Sequence, residues 1–126
     1  MKQNKKLGYA VFISDKLYNQ AEKIIYGEGL TFSRAVSVFF STVEGLDWLP
    51  LKIFKLQQDE KKTGGGKRHF VNCGYSDSNV AKKSLENVSA DYGLTVQDLV
   101  RLLMLNIVRR GSFVELLSDI VDIKNN

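Results

Sequence analysis

Gly29-Leu30-Thr31 returns 64 residues later as Gly93-Leu94-Thr95. The apolar positions that follow return in step: Ala35, Val36, Val38, Phe39, Phe40 and Val43 fall on Leu99, Val100, Leu102, Leu103, Met104 and Ile107. Upstream, the same spacing sets Leu17, Ala21 and Ile24 on Ala81, Leu85 and Val88. Identities are few, but the apolar columns agree across a whole pair of helices. A period of this length makes the chain two copies of one small supersecondary unit, and any fold must satisfy both copies.

Each unit reads the same way. A short run of strand formers comes first, Tyr9–Ile13 in one and His69–Cys73 in the other. Ser14 or Ser78 then offers a helix N-cap. The first helix follows, its apolar face set by Leu17, Ala21, Ile24 and Ile25, or by Ala81, Leu85, Val88 and Tyr92. Gly29 and Gly93 stand where the chain leaves that helix in the left-handed region. Thr31 and Thr95 are N-caps of a second helix, over about 32–44 and 96–110, and Asp98 adds a partial capping box. The second helices are apolar over most of their circumference and need burial on several sides. The strand runs align best at a spacing of 62, Ile13 with Tyr75, which puts two extra residues in the second strand-to-helix turn.

One strand alone leaves its backbone groups unpaired. Two units solve this together by pairing their strands antiparallel and crossing their second helices beneath the ribbon. The expected architecture is mostly α: a first unit over 1–45, a connector over 46–66, a second unit over 67–111, and an amphipathic helix or tail over 112–126, helical near 113–121. The connector begins apolar around Trp48 and ends polar and glycine-rich, so its first part is expected to pack and its second to flex. Trp48 is expected to pack at a domain edge, with anchoring of a protein partner as the sharper alternative.

Composition narrows the function. The chain has 126 residues, 18 Lys+Arg against 14 Asp+Glu, and a net charge of +4. The balance is +2 over 1–45, +1 over 46–66, +3 over 67–111 and −2 over 112–126, so the tail is the part least suited to a polyanion. One Cys and one His leave no zinc set and no intramolecular disulfide, which suits a reducing cytoplasm. No run reaches the ~18 apolar residues of a membrane span. Gly64-Gly65-Gly66-Lys67-Arg68 lacks the spacing and the Ser/Thr of a phosphate loop. His69 has no nucleophile or acid at catalytic spacing. These readings predict neither enzyme activity, cofactor, metal nor membrane partner.

The strand–helix–Gly-Leu-Thr–helix order, met twice over about 8–45 and 67–111, resembles the ribbon-helix-helix family of DNA-binding proteins in its tandem form, where one chain supplies both units. The resemblance implies an intramolecular pseudo-dimer whose ribbon enters the major groove of double-stranded DNA. Alternate strand residues then face the bases: Ala10 and Phe12 in one strand, Arg68, Phe70 and Asn72 in the other. Tyr9, Val11 and Ile13, and His69, Val71, Cys73 and Tyr75, face the core. The resemblance further implies phosphate contacts at the starts of the second helices, Thr31 and Ser33 in one and Thr95 and Gln97 in the other, joined by Lys5, Lys6 and Lys67 ahead of the strands. Of the base-facing set, only Arg68 and Asn72 carry hydrogen-bonding groups, suited to guanine and adenine. Ala10, Phe12 and Phe70 can touch only thymine methyls.

The expectation is a cytoplasmic protein that binds duplex DNA by sequence. Its role is that of a transcriptional repressor or of an accessory to DNA processing on a plasmid or other mobile element, with self-association of several copies on DNA. The apolar outward residues motivate the alternative of a protein-interaction module that keeps the fold without reading bases.

Overall fold

The computed structural model describes residues 6–44, 66–75 and 80–124. The expectations for Lys5, for Ser78 as a cap, and for the connector with Trp48 lie outside the described residues. Among the described residues there are two strands and five helices: β1 (Lys6–Ser14), α1 (Asp15–Gly27), α2 (Phe32–Val43), β2 (Gly66–Tyr75), α3 (Val80–Tyr92), α4 (Val96–Arg110) and α5 (Phe113–Lys124). The chain is mostly helical with one two-stranded antiparallel sheet.

The strands are nearly twice the length of the apolar runs that announce them, and β2 begins at Gly66, inside the expected connector. Among the described residues each strand pairs with the other alone, and the pairing extends into Lys and Gly positions of low strand propensity. Ser14 pairs with Gly66, Phe12 with Arg68, Val11 with His69, Ala10 with Phe70, Tyr9 with Val71 and Gly8 with Asn72. A bulge between Leu7 and Gly8 follows, where β2 skips Cys73 before Gly74 pairs with Leu7. That extra residue interrupts the in-and-out alternation that had assigned Cys73 and Tyr75 to the core face.

The caps predicted at Ser14, Thr31 and Thr95 form. Ser14 ends β1 and also caps α1, its hydroxyl accepting the Leu17 N–H at 3.3 Å. Thr31 and Thr95 accept the N–H groups of Arg34 and Asp98 at 3.2 and 3.1 Å. Gly29 and Gly93 take φ of 84° and 66°, where a Cβ would crowd the following carbonyl.

The core lies between the inner ribbon face and the helices. Val11, Ile13 and Val71 descend from the ribbon onto Phe32, Ala35, Val36, Phe39, Phe40 and Val43 of α2 and onto the apolar face of α4. Helix α1 packs mainly against α4 and α3 mainly against α2, so each first helix rests chiefly on the second helix of the other half. The segment expected as a helix over 113–121 runs three residues further, and Phe113, Leu116 and Ile120 bury into the same core, which makes α5 part of the packed body.

Candidate nucleic-acid interface

The outer ribbon face follows from the period of two. Val11, Ile13 and Val71 are buried, whereas Ala10, Phe12, Arg68 and Phe70 are exposed. Phe12 and Phe70 are diagonal neighbours across the two strands, 44% and 52% exposed. Lys6, Lys67 and Asn72 lie in the strands, opposite Tyr75, Ile13 and Gly8.

The inner face of the ribbon is fixed at its centre. His69, opposite Val11, stacks on Tyr18 of α1 with centroids 3.6 Å apart and planes 13° from parallel, and Phe32 of α2 meets the pair edge-on. Burial, reinforced by the Glu22 carboxylate that accepts its hydroxyl proton at 2.8 Å, pushes the Tyr18 pKa up, so the phenol stays neutral. Tyr9, opposite Val71, donates its hydroxyl to Glu86 of α3 at 2.6 Å.

Both second helices point their first turn at a strand. Gln97 Oε1, in the first turn of α4, accepts the Phe12 N–H at 3.0 Å, and Ser33 Oγ, in the first turn of α2, donates to the Phe70 carbonyl at 3.5 Å. These side chains, expected beside phosphates, have an atom committed to ribbon backbone, a use the sequence does not announce. One turn further along α4, Arg101 donates from Nε to the Phe12 carbonyl at 3.1 Å and lies 3.7 Å from Asp98. Arg101 is 3% exposed and had no assigned role. Its signal was there: a lone guanidinium in a run as apolar as Leu99–Met104 must have a buried partner. The structure therefore brings Thr31, Ser33, Thr95 and Gln97 to the flanks of the ribbon carrying Ala10, Phe12, Arg68 and Phe70. Arg34, in the first turn of α2, is exposed.

A second cluster, Glu28 at the end of α1, also escaped the sequence reading. Its Oε1 accepts the N–H groups of Phe113 and Val114 at 2.8 and 3.0 Å, and its Oε2 accepts the Ser112 hydroxyl. A carboxylate at a helix C-terminus opposes the dipole of its own helix. Here it is matched by the N-terminus of α5. Burial pushes this carboxyl up, and the hydrogen bonds from Ser112, Val114 and Phe113 more than reverse that, so it sits below its ordinary value.

Among the described residues, no helix is long and apolar enough to cross a membrane, and no group of three or more His, Cys, Asp or Glu side chains is placed to hold a metal. Comparison with protein-family models, with curated proteins and with solved structures finds no match.

Proposed function

We propose that this chain is a tandem ribbon-helix-helix protein that binds double-stranded DNA by sequence, with its β1–β2 ribbon in the major groove. The observation that carries the reading is a reciprocal pair of bonds. Ser33 and Gln97, each the second residue of its helix and 64 apart as in the repeat, reach across to Phe70 of β2 and Phe12 of β1. Phe12 and Phe70 are 58 apart. Matching them brings Gly8-Tyr9-Ala10-Val11-Phe12-Ile13-Ser14 onto Gly66-Lys67-Arg68-His69-Phe70-Val71-Asn72, with a local two-fold axis through the Val11–His69 pair. The halves then interlock as a pseudo-dimer, in keeping with the exchanged packing of α1 on α4 and α3 on α2.

A two-stranded ribbon fits the major groove, and the positive ends of α2 and α4 flank it where phosphates would lie. Arg68 is matched to guanine and Asn72 to adenine. The role is repression of transcription or assistance in DNA processing on a mobile element, in the cytoplasm, with copies side by side on DNA. A second reading, a protein-interaction module, draws support from the two exposed phenylalanines on the same face.

A gel shift across a salt series separates the two readings. Duplexes selected from a random pool by this protein should be retarded at about 50 mM salt and released steeply by about 200 mM. Absence of retardation at the lower salt contradicts DNA binding. On a selected duplex, Asn72→Ala should lose about 1–3 kcal/mol, and on random duplex little.

A further inference from the structure

We infer that the ribbon selects its DNA by the 5-methyl groups of two thymines, one under Phe12 and one under Phe70. This rests on the DNA-binding reading above and names what the same face recognises.

Of the exposed ribbon residues Ala10, Phe12, Arg68 and Phe70, only Arg68 can hydrogen-bond a base edge with its side chain. The two phenylalanines cannot, and an apolar side chain in the major groove finds one apolar feature, the thymine methyl. Their exposure is built in. The backbone of Phe12 is held at both ends, its N–H by Gln97 and its carbonyl by the buried Arg101, and Ser33 holds the Phe70 carbonyl. Since Val11 and His69 fill the inner face between them, the two rings are committed to the outside.

The pair is also placed for two half-sites. Phe12 and Phe70 occupy equivalent positions on either side of the Val11–His69 pair, and diagonal neighbours on a sheet face stand about 7 Å apart. That is about two base-pair rises. The two methyls are therefore predicted on opposite sides of the site's centre, about two steps apart. Equivalence fails at the next pair, where Ala10 matches Arg68, so the Arg68 half admits a guanine and the Ala10 half does not. Charge favours DNA as the occupant: the exposed ribbon residues include no acid, Arg68 stands among them, and residues 67–111 carry +3.

The test uses the full chain and a duplex recovered by selection from a random pool, synthesised once with thymine and once with uracil, which keeps base pairing and removes only the methyls. Each lost methyl contact is worth about four-fold in affinity, so the uracil duplex should bind more than ten-fold more weakly. The variant carrying Phe12→Ala and Phe70→Ala, both exposed and with an unchanged circular dichroism spectrum expected, should bind the two duplexes alike. Equal binding of thymine and uracil duplexes by the unsubstituted protein overturns the inference and leaves the DNA reading standing. So does a thymine preference that survives the double substitution. Recovery of no duplex from the pool overturns both and favours the protein-interaction module.

Discussion

Arg101 and Phe12 are joined beneath the ribbon: the buried guanidinium donates from Nε to the Phe12 carbonyl oxygen at 3.1 Å. The bond ties the packed interior of α4 to the free edge of β1, directly behind a residue of the outer face. Gln97 accepts the N–H of the same residue, so one backbone unit is held at both its donor and its acceptor. Rigidity at Phe12 thus comes from the second half of the chain.

Arg101→Met keeps most of the apolar stem and removes the donor, leaving the Phe12 carbonyl unpaired against the core. The expected cost is about 1–3 kcal/mol of unfolding free energy, read from urea denaturation. A neutral result would mean that water replaces the guanidinium at that carbonyl.

Glu28 makes the docking of α5 sensitive to acid. Its pKa in the folded protein lies below the ordinary 4.5. Its contribution is therefore complete above pH 4.5 and is lost as pH falls through the lower folded value. Amide exchange in α5 should accelerate over that acid range before exchange in α4 does. Glu28→Ala should lose that protection at neutral pH as well, by about 0.5–2 kcal/mol, as expected for loss of a helix cap.

Gly29 and Gly27 offer a matched pair. Beyond the local backbone, nothing lies within 4 Å of where a Cβ would stand at either, so tertiary packing does not distinguish them. Gly29 has φ of 84°, and Gly27 ends α1 without a positive φ. Gly29→Ala should cost about 1–2 kcal/mol in thermal or denaturant unfolding. Gly27→Ala should be neutral or should stabilise by up to about 1 kcal/mol.

The helices were legible because their signals are local. Thr31, Thr95, Gly29 and Gly93 each act within a few residues of themselves, and their caps and turns follow from residue type. The in-and-out order of Val11, Ile13, Phe12 and Phe70 was equally plain, since it needs only a period of two. The strand alignment was not. Matching apolar positions suggests a spacing of 62, whereas the pseudo-dimer proposed above, built on the contacts of Ser33 and Gln97, takes 58. The identities Gly8 with Gly66 and Phe12 with Phe70 favour 58 over hydropathy's 62. On that proposal the second unit carries six extra residues between strand and helix, the difference between 64 and 58. Arg101 and Glu28 were hidden for another reason. Their partners, Phe12 and the start of α5, lie more than 80 residues away, and only the tertiary fold brings them near.

The most direct test of the account is a nitrogen–proton correlation spectrum of the labelled protein titrated with a selected DNA duplex. If the ribbon binds DNA, amide signals of 6–14 and 66–75, with those opening α2 and α4, shift on binding, while those of the acidic α5 stay in place. Shifts confined to α5, or a ribbon left unchanged by saturating duplex, would contradict it.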